Sequence, residues 1–322
     1  MRWPLRQFGA IATLAALEGI RQPIALLVAT TGIVLIALLP ILVTHTLGET
    51  ERLARDSGLA LHFVCGLVLG SYAACSSLTH EIRRGTVSSV LSKPVSRELF
   101  LLAKFSGISA VMVLFSAGAA MGVLLSTRMS RPVYSVDWWA GVPLLTAPVL
   151  AYAAAGIWNY STRRPFVSAA FVLLVLGLAV AFVGAGFLDA EGNAVRFGAA
   201  YSWKILPASV LITLAILVLT GIAVSLAIRL DTVPTLSICS VVFVIGLMSD
   251  YLFGRHAGSN TVSAFLYRLV PNWQHFWVVD ALSGEGSVPW SYVARAALYA
   301  VCYLAGVLGL GLLAFRHMEI RS

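Results

Sequence analysis

Charge is scarce in this chain. Of its 322 residues only 11% are Asp, Glu, Lys or Arg, against roughly a quarter in ordinary soluble domains. With 59% hydrophobic residues, there is too little polar side chain to clothe a water-soluble globule of this length. That excludes a cytosolic globular enzyme and a disordered chain. Cysteine is scarce as well. Cys65, Cys75, Cys239 and Cys302 lie in apolar runs without CxxC spacing, which excludes a disulfide scaffold and reads as four small hydrophobes rather than a metal or redox centre. Catalytic signatures are missing: the sequence has no HExxH, no GxSxG and no Gly-Lys dipeptide for a phosphate-cradling Walker A loop. The six histidines are scattered, and no two of them stand three or four residues apart as metal ligands on one helix face would. His62, with only the Cys65 thiol nearby, reads as a packed histidine. No enzyme activity, metal or cofactor is expected on this chain.

What is present is a series of charge-free runs long enough to cross a membrane, which needs about 20 apolar residues per helix. They cover 23–44, 59–79, 105–127 (extended back to about 99), 138–162, 165–188, 205–228, 232–249 and 296–315. Backbone groups facing lipid must be bonded within their own segment, and period-2 alternation is absent, so the runs are helices. The predicted fold is an all-α polytopic membrane protein of about eight spans. Residues 1–22 read as an N-terminal helix lying in the interface rather than a signal peptide, because Glu18 and Arg21 interrupt the apolar stretch and a full span follows at once. On that helix Leu5, Phe8, Ala12 and Ala15 share one face, and Arg6, Glu18 and Arg21 the other. Residues 23–322 form the membrane domain.

Orientation follows from Lys and Arg. With the N-terminus inside, the segments 1–22, 80–104, 161–165, 229–234 and 316–322 hold 13 of the 22 basic residues. Both termini are then expected in the cytoplasm, although Arg128 and Arg131 fall on the outer side. Topology also accounts for the net charge of +8, and no basic stripe with interleaved aromatics fits a nucleic acid. The bilayer is the expected surrounding, and a bacterial inner membrane the expected location. The spans hold almost no carboxylates, unlike a proton- or sodium-coupled carrier. Asp250 and Arg295, at the outer ends of spans seven and eight, are expected to form an ion pair. Two GxxxG pairs, Gly66/Gly70 and Gly118/Gly122, permit close helix approach and are assigned to packing within the chain.

Two connections carry more information. In the inner one, 81–98, Gly85 can end the helix descending from span two, and Val87, Val90 and Leu91 share one apolar face of a short helix that Pro94 stops. An apolar face pointing at the cytosol is costly unless a partner covers it. In the outer one, 254–290, Val262, Phe265, Leu266 and Leu269 repeat at helical spacing, as do Trp273, Phe276 and Trp277 after Pro271-Asn272. These read as two short amphipathic helices anchored at the interface.

The inner connection resembles the permease subunits of type-2 ATP-binding-cassette (ABC) transporters. The matching pattern is E-x-x-x-G-T-x-x-x-x-L-S-x-P-V-S-R: Glu81, Gly85, Thr86, Leu91, Ser92, Pro94, Val95, Ser96 and Arg97, followed by Lys104. Pro271-Asn272 with Phe276, and the closing FRHMEIR from Phe315, resemble the same family more weakly. The resemblance implies that 81–98 is a coupling segment seated on a separate ATPase subunit. Val87, Val90 and Leu91 would fill the ATPase cleft, with Glu81 and Arg97 making charge contacts at the ends. ATP and magnesium would then be bound by the partner, and a second permease copy or paralogue would complete the pathway. LSGEG at 282–286 lies in the outer connection without a nucleotide-binding domain around it and is read as chance. This sequence departs from the family in having Ala103 before Lys104 and eight spans rather than six. The resemblance leaves two functions open: moving a substrate, or transmitting force to an assembly process without moving a solute.

Overall fold

The computed structural model describes residues 2–42, 49–83, 95–131, 136–256, 258, 260–282 and 286–316. The chain is an all-α polytopic membrane protein. Its helices are α1 (Arg2–Ile20), α2 (Pro23–Leu42), α3 (Thr50–Arg83), α4 (Arg97–Met129), α5 (Trp138–Thr162), α6 (Phe166–Ala185), α7 (Ile205–Ala227), α8 (Thr232–Leu247), α9 (Ser249–Leu252), α10 (Thr261–Leu269) and α11 (Trp290–Arg316). Seven of them, α2 to α7 and α11, are long and apolar enough to cross a bilayer. Among the described residues the extended structure amounts to one antiparallel bridge, Leu188 with Ala194.

The seventh sequence run is where expectation and structure differ. α8 has 16 residues, or about 24 Å at 1.5 Å per residue, short of the ~30 Å hydrocarbon core. At Met248 the chain bends by 68° into the segment that follows. The chain around Pro271 packs against the end of α8 just before this bend. A Cβ added at Gly246 would collide with the Pro271 carbonyl and the Trp273 indole. The seventh run is therefore not a straight span: it breaks after α8.

α4 is the axis of the bundle: α1, α2, α3, α5, α6, α7 and α11 all pack against it. The small residues on these helices set how closely they approach. Gly66 and Gly70 of α3 face Ile216 and Thr220 of α7, and a Cβ on either glycine would collide with them. The first GxxxG is thus consumed within the chain. Gly118 and Gly122 look toward α6 and α2 at ordinary van der Waals distances of 3.5 Å and more. At the crossing of α1 on α4 the obstacle is backbone. There a Cβ at Gly107 would strike the Ala12 carbonyl oxygen and approach the Ala15 Cβ to 2.7 Å. α1 is therefore packed by its small residues, with Ala15 and Gly19 buried and Leu5, Leu14 and Leu17 facing out.

Cross-connections sort the helix ends onto two faces. On one, called here the terminal face, Lys104 meets Glu18, Arg97 meets the carbonyls of Phe315 and Arg316, and Arg229 meets the Ala314 carbonyl. On the opposite, loop face, Arg128 of α4 is 3% exposed and its Nε donates to Asp137 Oδ2 at 2.8 Å. The guanidinium also donates to the carbonyls of Ala185 and Asp189 and lies 5.7 Å over the Tyr201 ring. Asp137 in turn caps α5 through the Ala140 N–H. Every arm of the buried cation is satisfied, the condition under which a buried pair is tolerated. Neighbouring Arg131 donates to Ser202 and the Ala200 carbonyl. Both outer arginines that weakened the charge bias have structural work on this face. In the same loop, hydrogen bonds from Asn193 hold the Asp189 carboxyl below the usual carboxylate range, and burial pushes the Tyr201 phenol up to about 12.

The α1–α4 crossing generates a direct test. Gly107→Ala forces two backbones apart and is expected to cost about 1–3 kcal/mol, the range for overpacking. It should lower the thermal unfolding midpoint in detergent and expose α1 to protease. Gly118→Ala, where space exists, should leave both unchanged.

Candidate functional site

The candidate site is the terminal face at the ends of α3 and α4. These are the two longest helices, of 34 and 33 residues, about 50 Å each and longer than the hydrocarbon core. They pack against one another, and the connection whose sequence resembles a coupling segment joins them. Gly85, Thr86, Val87, Val90, Leu91, Ser92 and Pro94 lie outside the described residues, while Glu81 stands on the last turns of α3. The structure describes the segment from Val95, which packs on the core. Ser96 caps α4, its Oγ accepting from the Leu99 N–H at 3.2 Å, and Glu98 lies in the first turn. This is a standard start to a helix: an oxygen for an orphan N–H and an acid at the positive end.

Arg97 is engaged inside the chain. Its Nη1 donates to the Phe315 carbonyl at 2.7 Å and its guanidinium lies 5.6 Å from the Phe315 ring centroid. That ring stacks on Phe100, and Arg316 pairs with Glu98. The first turn of α4 is thereby fastened to the last turn of α11. Two stretches far apart in sequence, each carrying part of the family resemblance, meet at this point.

About two turns further along α4, Lys104 is 1% exposed. Its Nζ donates to Glu18 Oε2 at 3.0 Å and to Ser77 Oγ at 3.1 Å, and Ser77 Oγ donates to the same carboxylate at 2.9 Å. Gln22 bonds Ser76 beside it. The cluster binds α1 to both arms of the α3–α4 hairpin. Glu18 does not turn to the polar side of an interfacial helix, because a buried ammonium without a counter-charge is far more costly than a carboxylate drawn inward. The sequence contained a signal for this: Glu18 is the only acid before Glu49, and an ionisable group at a membrane edge recruits a partner.

On the loop face the outer connection folds inward. α10 is the expected amphipathic helix, with Val262 and Phe265 exposed. The second expected helix is instead a single 3₁₀ turn, Trp273–His275. Trp273 and Phe276 are buried, and Trp273 meets Phe63 and Phe243 edge-on or tilted while Trp277 stacks on Phe63. Burying these rings gains more than anchoring them in headgroups, since α8 leaves that end of the bundle unfilled. Asp250 accepts from Tyr267 Oη at 2.6 Å and from Asn272 Nδ2 at 2.9 Å, and the bond to Asp250 raises the Tyr267 phenol. The structure does not bring Asp250 and Arg295 together. Asp250 lines a cavity of about 600 Å³ with Tyr251, Arg255, Tyr267 and Gln274. The exposed Arg295 lines another, of about 280 Å³, with His275, Tyr292 and Tyr299.

His62 is fully buried against Phe115, and neither of its ring nitrogens has a partner among the described residues. Among those residues no three His, Cys, Asp or Glu side chains gather as a metal site would require. Comparison with known protein families and with curated proteins returns no match for this chain.

The Lys104 cluster makes an asymmetric prediction. Glu18, 35% exposed, can hydrate if Lys104 is lost, whereas Lys104, at 1%, cannot hydrate if Glu18 is lost. Glu18→Leu, which removes a carboxylate from the more deeply buried of the two groups, is therefore expected to destabilise more than Lys104→Met, by about 3 kcal/mol. The double variant should recover most of the loss in a denaturant or thermal titration.

Proposed function

We propose that this chain is the membrane-spanning permease subunit of a type-2 ABC transporter, moving a substrate across the cell membrane on ATP hydrolysed by a separate subunit. The observation that carries the reading is the pattern from Glu81 to Arg97, with an apolar trio, Val87, Val90 and Leu91, on a connection predicted to face the cytosol. Its position supports the reading. The connection joins the two longest helices, and displacement of its ends is passed on by short polar contacts rather than by loops. Arg97 and Glu98 transmit to α11, and Lys104 transmits to α1. α4, in contact with most of the other helices, spreads the movement through the bundle. A packed interior has discrete arrangements rather than a continuum, so a partner's nucleotide-driven closure would act as a rigid-body switch.

On this reading the chain catalyses nothing. ATP and magnesium bind the partner ATPase, a second permease copy or paralogue completes the assembly, the location is a bacterial inner membrane, and both termini are cytoplasmic. Arg97, bonded to the Phe315 carbonyl, would position the end of the coupling segment and, with Glu81, make its charge contacts to the ATPase.

Val90→Glu and Leu91→Glu are the informative variants. Each should lose the ATPase on affinity purification in mild detergent, or leave its hydrolysis unresponsive to the membrane subunit, with thermal unfolding of the bundle unchanged. Wild-type binding and stimulation in both variants would remove the coupling role. A bound, stimulated ATPase with no solute flux in proteoliposomes would transfer the chain to the force-transmitting class.

A further inference from the structure

The least-buried part of the bundle carries a feature that the ATPase reading does not use. One face of α6 bears an unbroken stripe at helical spacing: Pro165, Ser168, Val172, Leu176 and Val180, with Leu173 and Gly177 beside them. A groove follows it. Toward the terminal face it is walled by α1 and encloses about 690 Å³ between Leu17, Ile20, Arg21, Trp158 and Arg164. Deeper in the membrane the same α6 residues, Leu173 and Leu176, pass into a cleft of about 510 Å³ against α5, lined by Val142, Thr146 and Leu150.

The two ends differ in chemistry. The deep part is almost wholly apolar. The mouth holds two guanidinium groups from different helices, Arg21 after α1 and Arg164 before α6. Among the described residues neither guanidinium has a hydrogen-bond or ion-pair partner. The nearest carboxylate in sequence, Glu18, is taken by Lys104 and Ser77. α6 begins at this mouth after Pro165 with no side-chain cap, so the positive end of a 20-residue helix faces the same space. Arg163, in the left-handed conformation at φ 54°, makes the tight turn that sets Arg164 there. Trp158 stands at the mouth as an interfacial aromatic would. From Arg164 to Leu176 is twelve residues, or about 18 Å of helix, close to one leaflet of a ~30 Å core.

We infer that this groove is a binding site for one anionic phospholipid, its phosphate between Arg21 and Arg164 and an acyl chain along the α6 stripe. Charge complementarity selects the occupant. Two unpaired cations and a helix N-terminus at a groove mouth, with no carboxylate among the lining residues, favour a negative headgroup over a zwitterionic one. The apolar remainder requires a chain, which a soluble phosphate lacks. The bound lipid would bridge α1 and α6, joining the edge of the Lys104 cluster to the lipid-facing rim of the bundle. This inference stands on the membrane fold alone and is independent of the ATPase reading.

The test uses the full chain in nanodiscs of phosphatidylcholine, titrated with phosphatidylglycerol brominated on its acyl chains, which quenches tryptophan on contact. Trp158 should be quenched at low mole fraction, and Trp158→Phe should remove that component of the signal. A juxtamembrane arginine contributes about fivefold to anionic-lipid affinity. Arg21→Gln and Arg164→Gln should therefore each shift the midpoint about fivefold, and the exposed Arg6→Gln on the same face should not. Leu176→Trp, which fills the stripe, should weaken binding with both arginines intact. Equal quenching by brominated phosphatidylcholine, or an unshifted midpoint in both arginine variants, would overturn the site. Displacement by millimolar inorganic phosphate would reassign it to a soluble anion. A Val172→Cys disulfide between two chains in native membranes, in a Cys302→Ser background, would show that a second copy covers the groove instead.

Discussion

Each end of α4 carries a cation that cannot reach water, and the rest of the bundle is arranged around that constraint. Lys104 and Arg128 are 24 residues apart, about 36 Å along the helix, roughly the hydrocarbon core plus a turn. Each is nearly sealed from solvent and each draws a carboxylate from a neighbouring segment, Glu18 from α1 and Asp137 from the start of α5. Lipid tails offer neither charge a substitute, so the partners of these sealed groups come from protein. The apolar surfaces between the two clamps provide bulk cohesion, but lipid tails are as apolar as leucine and do not choose among helix neighbours. That selection falls to the polar clamps and to the glycines that let backbones approach.

The terminal face acquires its character from the same economy of charge. Arg97, Glu98 and Arg316 lock α4 to α11 where the inner connection ends, and Lys104 locks α1 about two turns later. The described end of the connection is thus tied to two other helices, the contacts through which the proposed ATPase partner would act.

The loop face solves a different problem. α8 is too short to finish its crossing, and the deficit is filled by an inward-folded turn in which Trp273 and Phe276 are buried and Asn272 bonds Asp250. Non-helical backbone at the edge of a membrane is tolerated where protein shelters it.

The class and most of the helix inventory were legible in the sequence. A long run without charge has one stable solution in lipid, and seven of the eight runs each correspond to one helix, though α3 begins at Thr50, before its run, and α11 at Trp290, before Arg295. The Ser96 cap and the α10 amphipathic face were local patterns of the same kind. What tertiary structure alone decided was the pairing of groups far apart in the chain. Periodicity placed Glu18 on a polar face because it weighs one helix against water, whereas the cost of burying Lys104 is set by a helix 86 residues away. Asp250 and Arg295 have matched depth and opposite charge, yet depth says nothing about azimuth around the bundle, and Tyr267 and Asn272 reach the carboxylate first. Trp273 reads as an interface anchor until the shortness of α8 opens a space for it. Sequence determined which segments must leave water, because that depends on composition within one segment. Which polar groups they take with them depends on neighbours, and only the folded chain supplies those.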